Sequence, residues 1–185
     1  LEDGSRVDGK RIVIATDMTG GQRLDSAIAD RSWNATTCIS FDAPKAPNKT
    51  PVLMLNGDGT GPVNNVVVPS VVAPGYAPEG RHLVAVSLLP TSEIGDATPA
   101  EVAIKELRTW FGPQFGDWRH LKTYQISNAL PSQTVGSRTI DPLCARLELD
   151  GRIICGDHLS TSSINGAMAS GRVAAELILA ANGDT

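Results

Sequence analysis

The stretch Gly151-Arg-Ile-Ile-Cys-Gly-Asp-His-Leu-Ser-Thr-Ser-Ser-Ile-Asn-Gly-Ala-Met-Ala-Ser-Gly-Arg172 decides how this chain is read. It opens on an apolar run, Ile153-Ile154-Cys155, leaves it through Gly156-Asp157 and a polar loop, and enters a segment rich in small residues. That order predicts a strand, a tight exit and a helix over Ser162 to Ala180, stopped by Asn182-Gly183. A carboxylate at the carboxyl end of a strand, Asp157, is placed to accept hydrogen bonds from ligand hydroxyls, and Gly156 lets a ligand approach the backbone. The helix is expected to start near Ser163, with Asn165, Gly166 and Ala167 in its first turn. Its free N–H groups and positive dipole end suit an anion or an electron-rich ring. Two i+4 lines of small residues follow, Ala167–Gly171–Ala175 and Gly166–Ser170–Ala174, which let a helix lie close to a sheet or a cofactor. The plainer reading is that Asp157 caps a turn and the small residues serve packing alone.

Upstream of this stretch, Asp150-Gly151 predicts a hairpin turn between Ala145–Leu149 and Arg152–Cys155. At the other end, Asp3-Gly4 and Asp8-Gly9 predict a hairpin over residues 1–16. Its strand, Arg11 to Thr16, has apolar residues on both parities, the pattern of a strand buried on both faces. Sixteen residues cannot supply two covering layers, so the rest of that sheet must lie elsewhere. Gly20 to Asp30 reads as a short helix. Thr36–Phe41, Val52–Asn56, Val63–Pro69 and Arg81–Leu88 read as strands of a meander or mixed sheet. Pro99–Phe111 reads as a helix with a capping box, Thr98 at N-cap and Glu101 at N3, and Gly112-Pro113 stops it. Ala103, Leu107, Trp110 and Phe111 share one face, which should pack across the middle sheet. His120–Ala129 is a further strand, ended by Pro131.

The chain has 185 residues, 41% hydrophobic and 19% charged, enough for a core and for one domain or one and a half. A net charge of −4 gives no electrostatic reason to expect nucleic acid as a partner. No apolar run approaches the roughly 18–20 residues that a membrane helix requires. Three cysteines without a CxxC pair argue against a disulfide framework and favour an intracellular setting, cytoplasm or plastid, over a secreted one. The chain begins Leu1-Glu2-Asp3-Gly4, with no Met and no signal-peptide pattern, and is expected to be a piece of something longer. His82, His120 and His158 have no metal-ligand spacing, and His158 reads as a solvent-facing loop residue. Ser160–Ser163 lacks the G-x-S-x-G of a nucleophile elbow and reads as loop and N-cap material. Gly57-Asp-Gly-Thr-Gly61 resembles a phosphate loop, but Pro62 stands at the sixth position, so it reads as a turn. Trp110, Phe111, Phe115 and Trp118 serve a core or domain seam, or, with Tyr124, line an apolar substrate tunnel. Arg172 reads as an ion-pair residue.

The string Cys155-Gly-Asp-His, Ser163-Ile-Asn-Gly-Ala and Ser170-Gly-Arg-Val-Ala-Ala175 resembles the C-terminal flavin motif of the amine oxidase and phytoene desaturase superfamily. Softer likenesses run through Arg11–Thr16, Tyr76-Ala-Pro78, Trp118–Tyr124 and Ala129-Leu-Pro131. The resemblance implies an α/β (α+β) fold in two parts. One is a partial, Rossmann-like FAD-binding domain from residues 1–16 and 144–185, and the other a mixed-sheet substrate domain over 17–143. It implies FAD as cofactor, with Asp157 at the ribityl–pyrophosphate region, Ile164, Asn165, Gly166 and Ala167 beside the isoalloxazine, and Gly156 and Ser163 as further cofactor-binding residues. It implies a C-terminal half of an FAD-dependent oxidoreductase whose flavin takes a hydride from an amine or an apolar polyene-like small molecule. The family's G-x-G-x-x-G and its ribose-binding acid are absent, so a missing N-terminal half or a partner chain must carry them. The alternative is a non-catalytic interaction subunit that completes a flavin site only with such a partner, or a fragment that self-associates through exposed apolar surface. No catalytic acid or base is named.

Overall fold

Alternating apolar residues build the larger of two sheets. The structure, a computed structural model, describes residues 3–26, 28, 32–90, 96–113, 117–133, 145–147 and 151–183. The chain divides into two compact units, Ala35–Ala129 and a second made from both ends, Leu1–Asn34 with Leu130–Thr185.

In the Ala35–Ala129 unit, strand β2 (Trp33–Ala43) buries Ile39, Phe41 and Ala43 and leaves Cys38, Ser40 and Asp42 on its other face. Strand β5 (His82–Leu88) runs antiparallel to it, with Ile39 opposite Val86 and Phe41 opposite Val84, so the two buried sets coincide. Strands β3 (Met54–Leu55) and β4 (Val63–Val67) extend the sheet on one side and β6 (Arg119–Pro131) on the other, in the order β3-β4-β5-β2-β6. A short helix, α2 (Pro69–Val72), follows β4. Helix α3 (Pro99–Phe111) covers the apolar face, burying Ala103 and Leu107 against the sheet core. Its capping box forms as the sequence predicts, and Gly112, at φ 96°, ends it in a conformation that favours glycine.

The glycines between β3 and β4 form a turn. The Asn56 amide donates to the carbonyls of Thr60 and Val63, at 2.7 and 2.8 Å, and its oxygen accepts from Gly59 N–H. Gly61, at φ 76°, passes under Glu106 of α3, whose carboxylate accepts from Val63 N–H at 3.0 Å. Asp42, on the opposite sheet face, accepts from Arg81 at 2.7 Å and Arg119 at 2.9 Å. The Arg81 hydrogen bond is the main reason its carboxyl is held below the ordinary range.

In the second unit, β1 (Ile12–Ile14) pairs in parallel with β8 (Arg152–Cys155), and β8 pairs antiparallel with β7 (Ala145–Leu147). The predicted hairpin over residues 1–16 is absent. Asp3 and Gly4 do form a local turn, with Ser5 N–H donating to Asp3, but the described residues before Arg11 form no strand. Two-face burial occurs at β8 and not at β1. Ile154 joins Ile14, Met18 and Ile28 on one side, while Ile153 and Cys155 join Ala174 on the other. As an edge strand, β1 buries only Ile14 and leaves Ile12 58% and Val13 42% exposed.

Helix α1 (Met18–Leu24) is capped by Asp17, which accepts from Gly20 N–H at 2.6 Å, so it lies upstream of the predicted 20–30 span. Met18 and Ile28 pack with Ile14 and Ile154 in this unit. Asp25, nearly buried, pairs with Arg152 at 3.2 Å. The terminal helix α4 (Ile164–Gly183) lays Val173, Ala174 and Leu177 on the sheet. Cys144, Phe115 and Asp150 lie outside the described residues. No helix among the described residues is long and apolar enough to cross a membrane.

Glu106 yields a signed pH prediction. Burial pushes its carboxyl above the ordinary value of 4.5, against the lowering effect of the Val63 hydrogen bond. The folded chain therefore keeps this proton at pH values where the unfolded chain has lost it. Stability falls as pH rises from the ordinary to the raised value, and the loss is complete above it. Glu106→Gln keeps an acceptor for Val63 and removes the ionisation. Urea denaturation should show the variant gaining on the wild type from mildly acidic to neutral pH; a constant difference would refute this.

Candidate functional site

Two parallel strands, β1 and β8, end side by side, and the chain leaves both toward a helix. The carboxyl ends of parallel strands are where open α/β sheets bind ligands. The exit of β8 is tight. Gly156 has φ 156°, and a Cβ there would lie 2.6 Å from the His158 ring and 3.5 Å from the Thr16 carbonyl oxygen. A 3-10 turn, Asp157–Leu159, follows, with Leu159 N–H donating to Gly156 O and Ser160 N–H to Asp157 O. This turn folds His158 inward to 4% exposure, correcting the solvent-facing position read from the sequence. Asp157 itself stays partly exposed, and no described residue hydrogen-bonds its carboxylate.

The loop is anchored by residues far off in the sequence. Gln133 donates to Ser160 O and Ser162 to Pro131 O, each at 2.7 Å. Ser163 then caps α4. Its hydroxyl accepts from Gly166 N–H at 3.0 Å and its carbonyl from Ala167 N–H at 3.0 Å. Gly166 is buried under the loop, where a Cβ would run into the Thr161 carbonyl.

The two lines of small residues have different roles. Gly166, Ser170 and Ala174 face the sheet, and the Ser170 hydroxyl accepts from Gly156 N–H at 2.8 Å, pinning the helix to the strand exit. Ala167, Gly171 and Ala175 lie on the exposed side, with Ile164 81% and Met168 70% exposed. Arg172 forms an exposed pair with Glu176 at 3.7 Å. Of the seven residues singled out from the sequence, Gly156, Ser163 and Gly166 are thus occupied in holding the loop and helix. Asp157, Ile164, Asn165 and Ala167 present themselves outward.

Sequence reading missed Thr16 and Gln133 as parts of this construction, and the hydrogen bond from Gly156 N–H to Ser170. Only Ser170 carried a signal, its place in the buried i+4 line. Buried beside the site, Cys155 has its thiol pushed up by desolvation, which suits packing rather than nucleophilic work.

A family model for flavin containing amine oxidoreductase matches residues 1–179. The chain belongs to that family. Among solved structures, an oxidoreductase from Methanosarcina mazei aligns at a TM-score of 0.64 and 17% identity, covering 92% of this chain and 43% of that one. A protein from Pyrococcus furiosus aligns at 0.50 and 14% identity, covering 85% of this chain and 34% of that one. At such identities the likeness is one of fold. No curated protein matches the chain. This amine oxidoreductase family member spans less than half the length of these two structures.

Two glycines of α4 separate packing from helix propensity. Gly166→Ala, forced against Thr161, should destabilise the chain by about 1–3 kcal/mol. Gly171→Ala, with open space around its Cβ, should stabilise it by about 0.5–1 kcal/mol. Thermal or urea unfolding measures both, and effects of equal sign would contradict this packing.

Proposed function

We propose that this chain is the C-terminal part of an FAD-dependent oxidoreductase. The end-built unit would be its share of the cofactor domain and the Ala35–Ala129 unit its substrate side. The observation that carries the reading is the uncommitted Asp157 carboxylate at the exit of β8, beside the capped start of a 20-residue helix, in a chain of flavin-enzyme family.

The donor set fits one end of the cofactor. An ionised carboxylate is acceptor-only and suits ribityl hydroxyls. Gly166 N–H is taken by Ser163, and the first-turn N–H groups of Ile164 and Asn165 have no partner within the helix. With the dipole of α4 they would favour negative charge on the ring end. Ile164 and Ala167 offer apolar contact, and Gly156 keeps His158 folded away. The flavin, when bound, supplies the two-electron acceptor for oxidation of an amine or an apolar unsaturated small molecule.

No G-x-G-x-x-G precedes a helix anywhere in the sequence. A further polypeptide segment must therefore hold the diphosphate and adenosine. We assign to it the exposed apolar surface of this unit, Ile12 and Val13 on β1 and Met168 and Leu179 on α4. That same surface supports the second reading, an interaction subunit without its own turnover.

The test is a fluorescence titration of FAD with the purified chain. Saturable quenching is expected, and Asp157→Ala should weaken it about tenfold with an unchanged circular dichroism spectrum. Absence of binding by the wild type, or equal binding by the variant, would overturn the assignment of Asp157.

A further inference from the structure

The Ala35–Ala129 unit holds a cleft of about 210 Å³ on the sheet face opposite α3. Several elements build it. Asp42 of β2 and Leu83 of β5 stand opposite each other in the sheet, and Arg119 and Leu121 come from β6. Tyr76 and Pro78 come from the turn before β5. The apolar part of this lining is open to a ligand. Tyr76 is 65% and Leu121 44% exposed, and neither belongs to the core cluster of the sheet.

The polar groups are fixed from behind the cleft. The Asp42 side chain, only 15% exposed, accepts from Arg81 Nε at 2.7 Å through one oxygen. Its other oxygen accepts from Arg119 Nη2 at 2.9 Å and Nε at 3.3 Å. Both oxygens are thus taken, and one carboxylate faces two guanidinium groups. Arg119 is held along one edge, which sets the plane of its guanidinium, while Nη1 has no partner among the described residues.

His82 also lines the cleft, and its tautomer follows from Ser70. The Ser70 hydroxyl, in a residue 8% exposed, accepts from Leu83 N–H at 3.1 Å and lies 3.4 Å from His82 Nδ1. Ser70 has no other side-chain partner among the described residues, so its hydrogen goes to Nδ1. The neutral ring then carries its proton on Nε2. Arg119 Nη1, His82 Nε2–H and the Tyr76 hydroxyl can all donate, and the one carboxylate in the lining is already engaged.

The geometry points to a binding site for a small aromatic carboxylate. Its ring would lie between Tyr76 and Leu121, and its carboxylate at Arg119 Nη1 and His82 Nε2. The uncompensated positive charge favours an anion over its neutral analogue, and a guanidinium of fixed plane suits a planar carboxylate. Drug-sized ligands occupy pockets of roughly 300–1,000 Å³, so this smaller cleft limits the ligand to about one ring. The site is built within this unit and does not rest on the flavin reading of the other.

The test is a 1H–15N NMR titration of the full chain with benzoate at constant ionic strength, in the absence of flavin. Neutral benzamide is the control. The reporters are the Arg119 Nε–H signal, assigned through Arg119→Lys, and the Leu121 amide. Benzoate should move both saturably and bind about tenfold more tightly than benzamide. Arg119→Gln leaves Arg81 on Asp42 and should abolish that preference, whereas Arg119→Lys, which keeps the charge, should retain part of it. Tyr76→Ala, at an exposed position, should weaken both ligands by a similar factor. Equal binding of benzoate and benzamide, a preference undiminished in Arg119→Gln, or shifts that avoid both reporters would each overturn the proposal. Because no flavin is present, the result is independent of the FAD titration.

Discussion

The parallel pairing of β1 with β8 is the constraint on which the candidate site depends. Ile14 opposite Ile154 joins segments from opposite ends of the chain and brings Thr16 beside Gly156. Both strand ends then point to one edge of the sheet, and each is followed by a helix on the opposite side of it. Without this pairing Asp157 would cap an ordinary surface loop. With it, the carboxylate stands at the mouth of a parallel sheet next to a long helix. The Ser170–Gly156 hydrogen bond completes the arrangement by fixing the helix to the strand it leaves.

Much of the fold was legible because it is local. The capping box Thr98–Glu101, the pairing of β7 with β8, and the glycine turn after Asn56 all rest on residues a few positions apart, whose geometry does not depend on the rest of the chain. The alternation in β2 and β5 was readable because one face is buried and the pleat has period two. What failed was non-local. Asp3-Gly4 supplied a turn without a ladder partner, since β1 finds its neighbour beyond residue 150. The apolar parity of Arg11–Thr16 implied layers that the described residues do not provide, and the same pattern was satisfied at β8 instead.

The candidate site was legible by composition and not by role. Seven residues were marked from the sequence, but which of them face outward depends on the loop from Ser160 to Ser163. That loop is held by Pro131 and Gln133, and no pattern in the sequence ties those positions to it. Gly166 looked like a close approach to a ligand and is a close approach to Thr161. His158 looked like a loop residue and fills the space that the missing Gly156 side chain leaves. Glycine marks crowding faithfully; it does not say what crowds.

The larger unit is an insertion, which bears on the order of folding. The end-built unit is interrupted after Asn34 and resumes at Leu130, and the strands that leave and re-enter it, β2 and β6, are neighbours in one sheet. Just past that point Ser132 N–H donates to Ser32 O at 2.8 Å. Once the inserted sheet forms, the two ends of the interruption are delivered to each other. Pairing β1 with β8 then costs the closure entropy of short flanking segments rather than of nearly the whole chain. The inserted unit acts as a clasp. The parallel pair, slow to find its register by itself, is expected to form after it and to depend on it.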